Sequence, residues 1–317
     1  MWFGRHSVPA GIDLASVGSV VTIGAYDGLH IGHEVVLDKV RSEARRYGAR
    51  SVVMSFEPTP KEFFAGEYGS QRLMSFRQRF IRLRDLDVDL FFCPRFDTQL
   101  ANESARSFVR HWLVDVLHCR HIVVGDDFRY GRQRAGTFDT LTSAGRDFGF
   151  TVERTESVCK DGERVSSTAI RAALQAGDLG LAERLLGRSF AIEGRVRHGK
   201  KLGRTLGYPT ANLAVRRRLC PPHGIYAVTV NGAGLTNHAG VASLGTRPTV
   251  DDHGQVLLEV HLFDIERDLY GERLEVSLRG FLRAEEKFAS LDLLVAQMNE
   301  DEKTAREILA AAGVCAQ

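Results

Sequence analysis

Residues 20–40 read VVTIGAYDGLHIGHEVVLDKV, and this stretch decides the fold of the first half of the chain. Val20, Val21, Thr22 and Ile23 form a short β-branched run, the composition of a parallel strand buried on both faces. Gly24, Gly28 and Gly32 punctuate the turn that follows, where bare backbone admits a close ligand. Val36, Val40, Ala44 and Tyr47 then fall on one helical stripe, and Gly48 is placed to end that helix. His30 and His33 therefore sit at the amino end of a helix, where unpaired N–H groups and the positive end of the dipole suit a polyphosphate. Spaced three apart, both imidazoles can face one ligand, and neutral ring N–H groups can donate to oxygens on which charge develops. Two solvated loop histidines are the plainer alternative. The coincidence of strand, three glycines, paired histidines and amphipathic helix favours the phosphate site.

Outward from this unit the strand–helix alternation continues. Residues 50–56 (RSVVMSF) are a second strand running into Pro58 and Pro60, which force an extended turn. A helical stretch over about 75–86 leads to a strand at 88–93, and 103–118 reads as one amphipathic helix with Phe108, Trp112 and Val116 on its stripe. Residues 121–125 (HIVVG) are the next strand and open into Asp126, Asp127 and the aromatic pair Phe128 and Tyr130, a polar and aromatic cluster at a strand end that can grip a base or a flavin. An acidic turn with a packed phenylalanine is the plainer alternative there. Residues 165–171 (VSSTAIR) close the half: Ser166 or Ser167 can cap a helix, while Thr168 and Arg171 can join them in holding phosphate opposite the histidines. This is the pattern of a doubly wound parallel sheet.

From Ser189 onward the apolar period becomes two and helices vanish until about Ser290, which places a domain boundary near 187. Strands are expected over 190–196, 224–230, 240–244, 255–263 and 273–278, with an Asn231-Gly232 hairpin turn; roughly six short antiparallel strands suggest a small barrel. Its chemical stretch is HGKKLGRTLGYPTAN, 198–212. Gly199, Lys201, Gly203 and Arg204 belong to a cationic glycine loop fit to cover phosphates. Thr210 and Asn212 offer hard oxygens two residues apart on one face of an extended segment, the ligand type Mg²⁺ takes alongside nucleotide phosphates. In the strand at 255–263, Leu258, Val260 and Leu262 face one side while Glu259 and His261 face the other, where a carboxylate can serve as general base for an alcohol. A solvated outer face would give the same alternation.

At 317 residues the chain exceeds one ordinary core, so two domains of about 130 to 180 residues are expected. Lysine plus arginine number 42 against 40 acidic residues, a balance that argues against nucleic acid or an anionic membrane as a main partner. Five scattered cysteines without a C-x-x-C pair fit reduced thiols of a cytoplasmic protein. The opening residues lack the apolar core of a signal peptide, and no run approaches the roughly 18 apolar residues of a membrane span. No motif specifies an oligomeric state.

The H-I-G-H turn resembles the H-x-G-H signature of nucleotidylyltransferases, and the full order of motifs resembles the prokaryotic bifunctional riboflavin kinase/FAD synthetase family. Gly24, Tyr26-Asp27-Gly28, His30 to His33, Val124 to Phe128 and Ser166 to Arg171 carry the likeness in the first half. Gly203-Arg204, residues 209–212 (PTAN), Gly245-x-Arg247-Pro248-Thr249, Leu269-Tyr270-Gly271 and Arg283-x-Glu285-x-Lys287-Phe288 carry it in the second. The resemblance implies a Rossmann-like adenylyltransferase domain over 1–187 and a six-stranded antiparallel β-barrel kinase domain with terminal helices over 188–317. It further implies Mg²⁺ on Thr210 and Asn212, Glu259 as kinase base, and flavin against Arg283 and Glu285 in one domain and Asp126, Asp127 and Phe128 in the other. ATP would convert riboflavin to FMN and FMN to FAD. Where the family commonly has Asn-Phe before the Asp-Gly, this chain has Ala25-Tyr26, and Thr59 stands for a histidine in the F-x-P-H-P segment. A related transferase for another phosphate would leave the barrel motifs unexplained, and a flavin-binding regulator would not need the histidines or metal ligands.

Overall fold

The β-branched run around Val20 is the centre of a six-stranded, fully parallel sheet. The strands are β1 (Trp2–Gly4), β2 (Ser19–Ile23), β3 (Arg50–Met54), β4 (Leu90–Phe92), β5 (Cys119–Gly125) and β6 (Thr151–Thr155), in spatial order β1-β4-β3-β2-β5-β6. The computed structural model describes residues 1–5, 7–66, 71–198, 207–215, 221–246, 256–265 and 267–314. By compactness the chain divides into one unit of Met1–Ser70 and Phe76–Ser166, and a second of Gln71–Ser75 and Ser167–Gln317.

Alternate residues of the central strands serve opposite faces. Val20 and Val123 pack against Val40 and Ala44 of the helix Ile31–Tyr47. Val21, Ile23, Val52, Met54, Ile122 and Val124 pack with Leu113, Leu117 and Leu141. Each such fully buried side chain contributes about 1.5–3 kcal/mol, which is why both faces of these strands are apolar. Strand order reverses between β2 and β5: the chain moves to one side through β3 and β4 and to the other through β6. In open sheets the ligand crevice lies at the carboxyl ends of such a strand pair.

Gly48 ends the first long helix in the left-handed region (φ 59°), as its placement predicts. The single helix expected over 103–118 is different: a short α-helix Ala105–Phe108 passes into a π-helix Val109–Val116, in which Leu117 N–H reaches back five residues to the Trp112 carbonyl. The wider turn changes the stripe, so Val109, Leu113 and Leu117 are buried with Phe108, while Trp112 and Val116 are half-buried.

At the amino end of β5, buried His121 meets partly exposed polar partners. His121 Nδ1 is 2.7 Å from Thr151 Oγ1, Nε2 is 3.4 Å from Glu153, and Tyr47 stacks on the ring at 5.5 Å. Burial holds the imidazole below its ordinary pKa of 6.5, outweighing Glu153 and Glu43. A depressed native pKa gives stability that is present above about 6.5 and is lost as pH falls toward the native value, because the unfolded chain takes the proton first. The difference in unfolding free energy between wild type and His121→Asn is therefore expected to shift against wild type below pH 6.5, by at most about 1.4 kcal/mol per pH unit. Chemical denaturation at a series of pH values measures it.

The second unit is a closed barrel, in order β10-β13-β12-β11-β14-β9, with every pairing antiparallel. Its strands are β9 (Ala191–Arg197), β10 (Ala211–Val215), β11 (Gly224–Gly232), β12 (Leu235–Thr246), β13 (Val256–Leu262) and β14 (Arg273–Arg283); β7 (Cys159–Lys160) and β8 (Glu163–Arg164) form a small hairpin in the first unit. Leu258, Val260 and Leu262 are buried and Glu259 and His261 lie on the opposite face, as the alternation predicts. The hairpin turn is Ala233-Gly234, both at positive φ, and not Asn231-Gly232; Gly232 still pairs with Leu235, and Asn231 instead accepts from Asn237 N–H. The terminal helix Leu291–Ala311, capped by Ser290, packs Ala305 and Leu309 on Ala227, Ala239 and Phe263. The helices Ser167–Gln175 and Leu179–Leu186 also belong to this unit.

Candidate active sites

In the first unit the two turns singled out by sequence follow the two strands at the reversal point: Gly24–His33 follows β2, and Asp126–Phe128 follows β5. His30 is the N-cap of the helix Ile31–Tyr47, and its Nδ1 accepts from His33 N–H at 3.2 Å. That bond needs a bare Nδ1, so neutral His30 carries its proton on Nε2, the tautomer able to donate to a phosphate oxygen. The two imidazoles stack at 3.6 Å with 13° between planes. Gly32 permits the arrangement: a Cβ there would lie 3.3 Å from His30 Nδ1 and 3.7 Å from Val165, which also brings the segment before Ser166 beside the helix mouth. Asp27 and His30 are buried. Tyr26, Gly28 and Leu29 all have positive φ, and the Tyr26 ring lies 4.8 Å from His33 with its hydroxyl 2.6 Å from Thr22 Oγ1. Burial pushes that phenol well above its ordinary range.

Asp126 and Asp127 are exposed, and Asp126 is engaged by Ser157 Oγ at 2.7 Å and Arg164 at 3.2 Å. The serine bond, with Arg164, holds its carboxyl below the ordinary carboxylate range. Phe128 stacks on Tyr130 at 5.5 Å, and a run of aromatic contacts continues through Phe108, Phe56, Phe96 and Phe63 to exposed Phe64. The pair Phe128 and Tyr130 is expected from sequence; the continuation of the run beyond it is not. Ser166 ends the first unit, whereas Ser167, Thr168 and Arg171 open the second, where Arg171 Nε donates to the Gln71 carbonyl at 2.5 Å. Thr59, at the position of the family's histidine, serves as a helix cap: its hydroxyl accepts from Glu62 N–H and its own N–H donates to Glu62 Oε2 at 2.9 Å.

In the barrel, a cavity of about 320 Å³ is lined by Thr210, Glu259, His261, Arg283, Glu285 and Asp301, with Val241, Phe288 and Met298 among its apolar walls. Asn212 and Glu259 are direct cross-strand partners on β10 and β13, so their side chains are neighbours on one face. His261 Nδ1 donates to the Pro209 carbonyl at 2.9 Å, tying β13 to the start of the PTAN segment. Arg283 was foreseen, but its partner was not. Asp301, buried on the terminal helix, takes Arg283 Nε at 2.8 Å and Nη2 at 2.7 Å, and it also accepts from Gln297. This charge-assisted fork aims the guanidinium at the cavity wall. A Cβ at Gly245 would meet the Glu285 carboxylate, the far end of an exposed side chain that can turn aside. A second cavity of about 600 Å³ is lined by Gly207, Pro209, Thr210, Arg267 and Tyr270. Thr210 lines both. The expected phosphate loop residues Gly199, Lys201, Gly203 and Arg204, and Arg247-Pro248-Thr249, lie outside the described residues.

Two family models divide the chain in the same order as these sites: FAD synthetase matches residues 13–169 and riboflavin kinase residues 186–309. The curated bifunctional riboflavin kinase/FMN adenylyltransferase of Escherichia coli (strain K12) is 47% identical over 290 residues, covering 92% of each chain. The chain belongs to the bifunctional riboflavin kinase/FMN adenylyltransferase family. The Pseudomonas fluorescens member is 47% identical over 293 residues (92% of this chain, 94% of that one), and the Haemophilus influenzae member 43% over 289 (91% and 94%). A solved structure described as a macrolide-efflux protein from Streptococcus pneumoniae superposes with a TM-score of 0.80 at 32% identity, covering 91% of this chain and 94% of that chain. Among the described residues no helix is long and apolar enough to cross a membrane.

Proposed function

We propose that the two reactions of the family run at separate sites on this chain, riboflavin phosphorylation in the barrel and FMN adenylylation at the mouth of the helix Ile31–Tyr47. The observation that carries the kinase half is the cross-strand neighbourhood of Asn212 and Glu259 beside a residue, Thr210, shared by two cavities. Riboflavin occupies the cavity walled by Arg283, Glu285 and Phe288. ATP occupies the other, next in the chain to the cationic loop of Gly199, Lys201, Gly203 and Arg204. Phosphoryl transfer then takes place at Thr210, where the cavities meet. Glu259 removes the proton of the ribityl 5′-hydroxyl, which attacks the γ-phosphorus; the bond to the β–γ bridging oxygen breaks, giving FMN and ADP.

The metal ligand set fits Mg²⁺. Asn212 Oδ1 is buried and, among the described residues, has no hydrogen-bond partner, as expected of an oxygen reserved for a hard cation. Thr210 and Asn212 would hold the ion, which when bound supplies charge neutralisation for the triphosphate.

In the first unit FMN presents an already ionised phosphate, so no base is needed. Its oxygen attacks the ATP α-phosphorus and pyrophosphate leaves. His30 and His33 donate to the triphosphate, Gly24, Tyr26, Asp27, Gly28 and Gly32 shape the cradle, and Ser166, at the end of the same unit, adds a phosphate contact. Asp126, Asp127 and the aromatic run beginning at Phe128 bind the flavin. The cysteines Cys93, Cys119 and Cys159 are free thiols, which supports a cytoplasmic setting.

Incubation with riboflavin, ATP and Mg²⁺, followed by chromatography of the flavins, tests the whole reading: FMN should accumulate first and FAD follow. The functional boundary is placed at 187/188. A fragment starting at Ser167, which keeps the two helices of the barrel's own unit, is expected to make FMN and no FAD. A folded fragment without kinase activity at saturating ATP and Mg²⁺ would refute independent sites.

A further inference from the structure

Arg79, on the helix Phe76–Asp85, is an arginine with 3% exposure inside the first unit. Its Nη1 donates to the Ala25 carbonyl at 2.7 Å and to Ser55 Oγ at 3.2 Å, and its Nη2 donates to Glu57 Oε2 at 2.9 Å. The guanidinium also lies 5.5 Å from the ring centres of both Phe76 and Phe91. Burying a cation is costly unless its bonds are needed, and an apolar side chain would pack this helix against the sheet as well. The bonds go to two segments that follow neighbouring strands: Ala25 follows β2, and Ser55 and Glu57 follow β3.

The Ala25 carbonyl precedes a backbone that would not keep its shape unaided. Tyr26 and Leu29 both sit in the left-handed region, at φ 50° and 40°, where bulky side chains are disfavoured. Such conformations persist only where surrounding contacts over-determine them. Tyr26 in turn places its ring against His33 at 4.8 Å. We propose that Arg79 is a positioning residue for adenylyl transfer: its two-nitrogen clamp on Ala25 and Glu57 holds the left-handed turn, and through Tyr26 the His33 ring, in the geometry the triphosphate needs. This rests on the reading of His30 and His33 as triphosphate donors. Arg79 itself touches no reacting atom.

The test uses the full chain with Arg79→Lys, Arg79→Ala and His33→Ala, measuring both half-reactions on one preparation. Lysine keeps the charge and the stem, but its single nitrogen cannot span the two acceptors. Arg79→Lys should melt near wild type and phosphorylate riboflavin normally, while turnover of FMN adenylylation falls about ten- to a hundredfold with the KM for ATP within a fewfold, as expected for a small misplacement of reacting groups. Arg79→Ala should lose more and recover in part with added guanidinium. Guanidinium weakens folds, so recovery would not come from mending a merely structural defect. A folded Arg79→Lys with adenylylation within twofold of wild type, beside a crippled His33→Ala, overturns this proposal alone, as does loss in both Arg79 variants that tracks the unfolded fraction and shows no recovery. A wild-type chain that makes no FAD, or a His33→Ala chain as active as wild type, overturns the histidine reading and this proposal with it.

Discussion

His33→Ala is expected to lower the rate of FMN adenylylation by two or more orders of magnitude, the scale for removal of one preorganised donor. Riboflavin phosphorylation should stay near normal. The geometry makes the substitution clean. The N-cap bond of the helix Ile31–Tyr47 runs from the backbone N–H of residue 33 to the His30 ring, so deleting the His33 side chain leaves the cap in place. What is lost is a ring stacked at 3.6 Å on His30 and packed by Tyr26. His30→Ala is a useful contrast: it removes a donor and also the cap, and so should add about 0.5–2 kcal/mol of destabilisation. Steady-state rates of both half-reactions, with thermal melts of both variants, separate the two effects. Equal loss of both activities in His33→Ala would mean a folding defect or a shared site.

Much of this architecture was legible because the residues that make it are close in sequence. Val20 to Ile23 announce a doubly buried strand by composition alone, Gly48 a helix end, and the Leu258–Val260–Leu262 alternation a strand with one buried face. What escaped depended on partners far away or on a rarer local geometry. The fork from Arg283 to Asp301 joins a strand end to a terminal helix, and nothing near Asp301 marks it apart from other helical acids. Arg79 reads as a solvated face of its helix until Ala25 and Glu57 are brought to it. The aromatic run from Phe128 to Phe64 gathers residues from five segments. The π-helix failed to register because a stripe counted at α-helical spacing is the wrong ruler once hydrogen bonds span five residues. Asn231-Gly232 is the stronger turn dipeptide, yet the side-chain bond from Asn237 N–H to Asn231 favours a bulge there and moves the turn to Ala233-Gly234.

Glu259→Gln is expected to reduce riboflavin phosphorylation by roughly 10²- to 10⁴-fold, the usual worth of a general base. Strand alternation alone would leave Glu259 a solvated residue, and three features of its surroundings argue otherwise. It lines a cavity of about 320 Å³ together with Arg283 and Glu285, with Val241, Phe288 and Met298 among the apolar walls. Its cross-strand neighbour on one side is Asn212, with its buried amide oxygen, and on the other Ser243. Thr210, two residues before Asn212 and just ahead of β10, lines both cavities. Glutamine keeps the size and most of the hydrogen bonding but cannot take a proton from the ribityl hydroxyl, so the loss should appear in turnover more than in riboflavin affinity. Adenylylation of supplied FMN should be untouched, because that nucleophile is already ionised and the site proposed for it lies in the other unit. Kinase turnover within a fewfold of wild type would remove Glu259 from the chemistry. An increase in riboflavin KM with turnover unchanged would reassign it to binding, because uniform binding lost from ground and transition states alike leaves kcat where it was.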